Sequence, residues 1–176
     1  MEKLKIGGLK QSLELCQFNL RGPDSSEKIA SEISKLLASQ QINIEFLTYY
    51  PNKAAHHRLT LCISQDLYSR VLEILKKGDF LYKEWEINSR GHVGIVTLFP
   101  HHSPLTILGV LLASWKARAI PIYGIATSLS AISFVTDFHT LDKAADSAQE
   151  FLQLPEGHAP LKPELRYYQS TIRKKD

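Results

Sequence analysis

Two stretches of the sequence alternate apolar and polar side chains at every second position, which is the period of a half-buried β-strand. They are residues 12–20 and residues 92–100. A turn follows each stretch, and apolar residues at helical spacing come next, at 25–40 in the first half and at 105–116 in the second. The pattern therefore predicts the same opening, a strand, a turn and a helix, in both halves of the chain.

The remaining elements extend this similarity into a repeat. The pattern predicts strand, helix, strand, strand, helix, strand over residues 12–87, and residues 92–152 repeat the first five elements in the same order. The predicted strands are 12–20, 43–50, 58–64, 81–88, 92–100, 119–123 and 131–138, and the predicted helices are 25–40, 66–77, 105–116 and 141–152. Such a repeat predicts an α+β fold with two ferredoxin-like βαββαβ units, each an antiparallel four-stranded sheet with two helices on one face.

The fourth strand of the second unit is the element that the pattern leaves open. The segment after residue 154 is rich in proline and charge and is typical of a loop over its first part. Either residues 165–172 supply the missing strand, or residues 4–9 cross over to supply it. The expected domains are residues 8–88 and 91–154, with 155–176 as a C-terminal extension.

Length, charge and composition narrow the class of protein. The 176 residues are 44% hydrophobic and 22% charged, which is ordinary for a folded protein, and the net charge of +3 is too small to indicate a nucleic-acid partner. The N-terminal residues are polar and mixed, so neither a signal peptide nor a membrane span is expected. Cys16 and Cys62 lie within predicted strands without metal-type spacing, which favours reduced thiols and a cytoplasmic location.

Three runs of sequence resemble the paired ACT domains of aspartate kinase. Residues 22–46 (GPDSSEKIASEISKLLASQQINIEF) resemble the opening of an ACT domain, where a turn with an aspartate leads into a helix and a strand that begins Ile-Asn-Ile. Residues 59–77, followed by a strand and by HVGIVTLF, are similar to the junction between the two ACT domains, and residues 128–154 are similar to the end of the second. The catalytic domain that lies upstream in that family is absent from this sequence. The resemblance implies a free-standing regulatory pair that binds amino acids and dimerises through side-by-side sheets.

The resemblance places a ligand site at the turn between the first strand and the first helix of each unit. Its residues would be Gly22, Asp24, Ser25, Ser26, Asn43 and Ile44 in the first unit and His102 and Ser103 in the second. An amino acid needs donors for its carboxylate, which helix amides and serine hydroxyls offer, and acceptors for its ammonium, which Asp24 or the carbonyls near Asn43 offer. The alternative is that Asp24 and Ser25 only cap the helix and that Asn43 only starts a strand.

Both turns depart from the ACT pattern at the glycine that lets backbone amides approach the ligand. In the first unit the corresponding residues 25–27 are Ser-Ser-Glu, and Gly22 lies before the turn. In the second unit residues 102–105 are His-Ser-Pro-Leu, and Ile120-Pro121 replaces the asparagine. Because the second unit departs further, the first unit is the better candidate for the ligand site. The missing glycines also favour the alternative that the protein is derived from ACT domains but no longer binds a ligand.

Other kinds of site find little support in the sequence. The adjacent pairs His56-His57 and His101-His102 have no carboxylate or cysteine at ligand spacing, so no metal is expected, and no cofactor is expected either. There is no nucleophile with a placed base, no phosphate-binding glycine loop and no pair of carboxylates that would indicate an enzyme. RNA-recognition modules share the βαββαβ order, but their aromatic strand pattern is missing.

Two functions from different classes remain. The first, which we prefer, is an amino-acid sensor, a homodimer of tandem ACT units whose crevice between units or chains closes on a small ligand. The second is a ligand-free interaction module that assembles with a partner protein. The helix 105–116 is apolar almost all round, which predicts the homodimer, and Tyr49 and Tyr50 suit an interface. Both functions allow a separately encoded enzyme as the partner, and the sequence does not decide whether one is the target of regulation.

Overall fold

The computed structural model describes residues 3–22, 29–50, 57–77, 85–101 and 104–162 of the chain. The chain divides into two compact units. The inserted unit is Glu14–Val93, and the split unit consists of Met1–Leu13 together with Gly94–Asp176. The polypeptide therefore starts in the split unit, builds the whole of the inserted unit, and then returns to complete the split unit.

Eight strands and four helices make up the two units within the described residues. The strands are β1 (Leu4–Gln11), β2 (Leu15–Gly22), β3 (Phe46–Tyr50), β4 (His57–Ser64), β5 (Glu86–His101), β6 (Gly124–Thr127), β7 (Ile132–Asp137) and β8 (Leu152–Gln153). The helices are α1 (Ile29–Ser39), α2 (Tyr68–Lys77), α3 (Pro104–Ala117) and α4 (Leu141–Gln149). No helix among the described residues is long and apolar enough to cross a membrane.

The inserted unit contains a four-stranded antiparallel sheet in the order β3-β4-β2-β5, to which β5 contributes only its first part. This order is that of a ferredoxin-like unit. Leu59 and Leu61 alternate along β4, so both lie on one face of the sheet, where they share a buried cluster with Ile33 of α1 and Val71 of α2. The apolar stripe of each helix is thus buried against one face of this sheet.

The split unit has the same strand arrangement, although its fourth strand comes from the other end of the sequence. β7 pairs with β6 and with β5, and β1 lies antiparallel to the last part of β5, with Ile6 opposite His101. β8 adds two residues parallel to β1. Of the two segments that the sequence left open, residues 4–9 therefore lie in the sheet as part of β1, and residues 165–172 lie outside the described part of the chain.

The core of the split unit joins α3 and α4 to this second sheet. Trp115 of α3 packs on Phe134 of β7, with 4.8 Å between the ring centroids. Between the two helices, the hydroxyls of Ser114 and Ser147 form a buried hydrogen bond of 2.9 Å. The topology of both units confirms the expected α+β fold with two ferredoxin-like units.

Two predicted strands begin at the wrong residue, and a helix end explains both errors. The strand expected from residue 43 begins at Phe46, and the strand expected from residue 119 begins at Gly124. Gln41 and Ala119 have left-handed backbones, with φ of 56° and 54°. The next residue, Ile42 or Ile120, donates its N–H at 2.9 Å to a carbonyl five positions earlier. This is the hydrogen bond of a Schellman helix end, so both isoleucines close a helix and bury there.

Other boundaries also move. Residues of both predicted strands, 81–88 and 92–100, belong to one continuous strand, β5, which starts at Glu86. His92 has φ of 55°, and the pairing of β5 with β2 shifts near this point, so a bulge bends the strand without ending it. The helix expected over 141–152 ends as α4 at Gln149. Residues 8–13 lie in the split unit, while the ACT boundaries 8–88 and 91–154 stay a prediction.

Candidate functional site

At one end of the sheet in the inserted unit, β2 and β3 finish and β4 and β5 begin. Gly22, the last residue of β2, lies opposite His57, the first residue of β4. β3 ends at Tyr50 on the same side, and Glu86 starts β5 opposite Arg21. The chain leaves this edge at Gly22 on its way to α1. We call this place the Gly22 edge and define it by Gly22, Tyr49, His57 and Trp85.

Trp85 occupies the space that a side chain at Gly22 would fill. A Cβ atom built on Gly22 would lie 2.1 Å from the ring atoms Cδ2 and Cε2 of Trp85. Only glycine therefore lets the indole pack directly on the end of β2. Trp85 is 8% exposed, and its Nε1 has no hydrogen-bond partner among the described residues. A buried indole N–H without an acceptor is unusual, since most buried donors are paired.

Beside Gly22, the buried His57 pairs with the half-buried Tyr49. His57 is 2% exposed, and its Nδ1 lies 2.5 Å from the hydroxyl oxygen of Tyr49, a hydrogen bond in which the histidine tautomer decides the donor. The two rings are also stacked, with 5.7 Å between centroids and 16° between planes. Leu59 and Leu61 follow His57 on the same face of β4 and are buried in apolar surroundings. The Gly22 edge thus ends an apolar core with groups that can donate and accept hydrogen bonds.

The structure places only one of the residues predicted for the ligand site at this edge. Gly22 lies there, while Asp24, Ser25, Ser26, His102 and Ser103 lie outside the described residues. Asn43 is exposed, and its Nδ2 donates to Oε1 of Glu45 at 3.0 Å. Ile44 is half-buried against the core of the inserted unit.

Asn43 and Gly22 are at opposite ends of the sheet in the inserted unit. β3 starts with Phe46 opposite Cys62, and Gly22 lies opposite His57 at the other end of β4. Five residues of β-strand separate Cys62 from His57, which is about 17 Å at a rise of roughly 3.3 Å per residue. Asn43 precedes Phe46, so one copy of this unit does not bring Asn43 to the Gly22 edge.

The two cysteines and the histidines show what else the described residues can do. Burial raises the pKa of Cys16 and of Cys62 to about 12, so both remain protonated thiols at neutral pH, which is unsuited to nucleophilic attack. Across the described ranges no group of three His, Cys, Asp or Glu side chains could hold a metal ion. His56 and His102, which belong to the two histidine pairs, lie outside these ranges.

Sequence reasoning did not assign Tyr49, His57 or Trp85 to a ligand site, although it considered His57 for a metal and Tyr49 for an interface. A signal was available for His57, because it shares the alternation of Leu59 and Leu61 and so extends the buried face by one step. Trp85 carried no such signal, since its packing depends on a glycine more than sixty residues earlier in the chain.

A scan against protein-family models finds no match to the sequence. A search of curated proteins finds no match either. Solved structures of the same fold are found. The ligand-free regulatory subunit of aspartate kinase from Thermus thermophilus matches with a TM-score of 0.69 at 18% identity, over 83% of this chain and 97% of that one. The aspartokinase alpha and beta subunits match with a TM-score of 0.69 at 17% identity, over 82% and 97%.

A third structure is aspartokinase III from E. coli in complex with lysine and aspartate, with a TM-score of 0.56 at 15% identity. That match covers 82% of this chain and 32% of the larger enzyme. Each of the first two matches spans 97% of the matched chain, and in the first of them that chain is a regulatory subunit. The resemblance drawn from the sequence is therefore confirmed at the level of the fold, which is that of the regulatory part of aspartate kinase.

Proposed function

We propose that this chain, which has the fold of the regulatory subunit of aspartate kinase, is a regulatory protein that binds an amino acid at an interface between two copies. The observation that carries the proposal is the Gly22 edge, where buried polar groups end an otherwise apolar core. Fold alone does not specify function, so the proposal depends on this site.

The Gly22 edge offers complementary chemistry for an amino acid. The Nε1 of Trp85 is a buried donor without an acceptor among the described residues, and leaving such a donor unpaired costs about 1–3 kcal/mol. A carboxylate oxygen is the acceptor that would remove this cost. The pair of His57 and Tyr49 lies beside Gly22 and adds groups that hydrogen-bond either to a carboxylate or to an ammonium.

A second copy is needed to add Asn43 to such a site. Within one inserted unit Asn43 lies at the far end of the sheet from Gly22, as the strand register requires. Two inserted units paired in opposite directions would bring Asn43 of one copy towards the Gly22 edge of the other. Regulation would follow by population shift, because the ligand binds the paired arrangement more tightly than any other.

The proposal is tested by a thermal-shift screen of the twenty amino acids at millimolar concentration, with lysine and aspartate replicated because aspartokinase III was solved with both. A ligand that binds only the folded state raises the melting temperature by mass action. We expect one or two amino acids to raise it. A flat response across the panel would contradict the proposal.

Matched variants then locate the site. Trp85→Phe keeps an aromatic ring but removes the donor, so it should reduce the shift, while Trp115→Phe removes the other buried and unpartnered indole N–H and should not. Asn43→Ala should also reduce the shift. Its control is Asn88→Ala, because Asn88 is likewise exposed and donates to a glutamate two residues away. Equal effects of a variant and its control would exclude that residue from the site.

The second candidate function is a ligand-free module that assembles with another protein, such as a separately encoded enzyme. Exposed apolar side chains of the split unit favour it, since Leu105 on α3 is 82% exposed and Leu129 is fully exposed. Sedimentation equilibrium at tens of micromolar tests self-association, and Leu105→Lys should shift a dimer towards monomer. A wild-type chain that sediments as a monomer would contradict the homodimer and leave the partner to be another protein.

A further inference from the structure

The split unit contains a groove of its own, lined by polar and apolar side chains. It has a volume of about 880 Å³, which lies in the range of small-molecule sites. One wall is the face of α4 that carries Asp142, Asp146 and Gln149, and the other is the segment 157–162. Gln11 of β1 lines the groove between the two walls.

The segment 157–162 is fixed to β1 by backbone hydrogen bonds. Leu161 donates its N–H to the carbonyl of Leu9 at 2.8 Å, and Gln11 donates its N–H to the carbonyl of Leu161 at 3.0 Å. This bridge between Lys10 and Leu161 extends the sheet beyond β1. The groove therefore has two walls held by regular hydrogen bonds.

The amide of Gln11 has a defined orientation and an unused acceptor. Its Nε2 lies 3.4 Å from the carbonyl oxygen of Leu141 and 3.3 Å from Oδ1 of Asp142, and two acceptors at this position require the NH₂ group. Oε1 must then point away from them, and it accepts no hydrogen bond from another described residue. Gln11 is only 4% exposed and lines the groove, so an amide that is almost completely buried there has a carbonyl oxygen without a donor among the described residues.

The other groups of the groove are mostly acceptors as well. Asp146 lies one helical turn beyond Asp142 and makes no ion pair or hydrogen bond with the described residues. Lys162 neutralises Asp142 at 2.8 Å, and these two contacts of Asp142, with Lys162 and with Gln11, lower the pKa of its carboxyl group. His158 lies on the opposite wall, and Lys3 binds the carbonyl of Gln149 at the end of α4.

We propose that this groove binds a small organic cation that carries several N–H donors, an alkylammonium or a guanidinium. Its donors would bind Oε1 of Gln11 and the carboxylate of Asp146, which are the acceptors left open by the contacts of the groove. Lys162 is the only lysine or arginine among the residues that line the groove, and its ion pair with Asp142 reduces the attraction that an anion would find there.

The test is ligand-observed saturation-transfer NMR with the full chain and agmatine, which carries both a guanidinium and an ammonium. Sodium butyrate serves as an anionic probe of similar chain length. We expect agmatine to bind and butyrate not to bind. Asp146→Asn, a surface change that should preserve the fold, should weaken agmatine binding by roughly fivefold, the effect of one exposed ion pair. Glu32→Gln removes an exposed carboxylate from α1 and should leave binding unchanged.

Two further variants show whether agmatine binds in this groove rather than elsewhere on the chain. Gln11→Met has a similar size without the carbonyl oxygen and should also weaken binding, with circular dichroism confirming that the sheet is intact. Trp85→Phe should not affect agmatine, which has no carboxylate, so the result is independent of the amino-acid site proposed above. Absence of agmatine binding, equal binding of butyrate, or an equal loss in Glu32→Gln would each overturn the proposal.

Discussion

The inserted unit and the split unit share one topology, but they place a buried tryptophan N–H in different surroundings. Each unit has one tryptophan, and the indole N–H of each is buried without a partner among the described residues. Trp115 is fully buried against Phe134 in an apolar cluster, so its unpaired donor is a by-product of packing. Trp85 lies at a sheet end, over Gly22 and near His57, where a ligand acceptor would find further polar groups. The neighbours of a buried donor, rather than its burial, distinguish a site from a core.

The two units also differ in how the sequence assembles them. All strands of the inserted sheet come from one continuous stretch, Glu14–Val93. The sheet of the split unit needs β1, which precedes that stretch, next to β5, which ends it. This difference makes the split unit the more dependent on contacts that are distant in the sequence.

The largest expected effect tests this dependence on β1. Leu9 is fully buried in the core of the split unit, so Leu9→Ala should lower the free energy of unfolding of that unit by about 2–5 kcal/mol. Urea unfolding would be followed through Trp115 fluorescence in a Trp85→Phe background and through Trp85 fluorescence in a Trp115→Phe background. We expect Leu9→Ala to lower the urea midpoint of the Trp115 transition much more than that of the Trp85 transition.

Leu13→Ala is the control, because Leu13 also belongs to the split unit but is 37% exposed. Its effect should stay within roughly 0.5 kcal/mol. Equal shifts of the two urea midpoints in Leu9→Ala would show that the units unfold together, and would contradict a separate dependence of the split unit on β1.

Smaller changes in stability are expected when one glycine in each unit is replaced by alanine, and the two changes should have opposite signs. Gly22→Ala forces a Cβ into the ring of Trp85 and should cost about 1–3 kcal/mol. Gly109→Ala on α3 meets nothing within 4 Å and should stabilise by about 0.5–1 kcal/mol, because alanine favours the helix. Melting temperatures of the two variants should therefore move in opposite directions. A neutral Gly22→Ala would mean that Trp85 is free to move away from β2.

The smallest effect is a difference in sensitivity to alkali. The only two cysteines, Cys16 and Cys62, are in the inserted unit, and burial raises the pKa of each from 9.0 to about 12. A raised pKa in the folded state gives stability that is complete below pH 9 and is lost as the pH rises from 9 to 12. At pH 10 the loss should be on the order of 1 kcal/mol for each thiol.

The measurement is the urea midpoint of the Trp85 and Trp115 transitions at pH 8 and pH 10. The Trp85 midpoint should fall more, and Cys62→Ala should reduce that pH dependence even though it lowers stability at both values. A pH dependence unchanged by Cys62→Ala would assign the effect to other groups.

Much of the fold follows from short-range patterns, which the sequence displays directly. The order of helices and strands was predicted because alternation and helical spacing are local properties. The strands near Ile42 and Ile120 were predicted to begin too early, because an apolar residue that closes a helix end has the same sequence signal as one that starts a strand. Residues 4–9 gave a weak strand signal because of the glycines at 7 and 8, and pairing with β5 decided their place.

The candidate site was less accessible to sequence reasoning than the fold. Gly22 was predicted for a ligand site because the sequence that begins there resembles that of a known family, and this role stays a prediction. Trp85 was missed because its position depends on a long-range contact with Gly22. Asn43 was grouped with Gly22 because of the resemblance to an ACT domain, yet the strand register puts the two residues at opposite ends of the sheet. Tertiary arrangement, which periodicity does not encode, accounts for both differences.

The place of β1 at the far side of β5 has a consequence for the order of folding. β1 precedes the inserted unit in the chain, and its Ile6 lies opposite His101 in the part of β5 that follows that unit, so β1 lacks this partner strand until the whole inserted unit has been made. The inserted unit has all its strands within one stretch and is able to close its sheet earlier, because shorter loops are closed at lower entropic cost. A refolding chain should therefore bury Trp85 before Trp115, and docking of β1 should be the slow step.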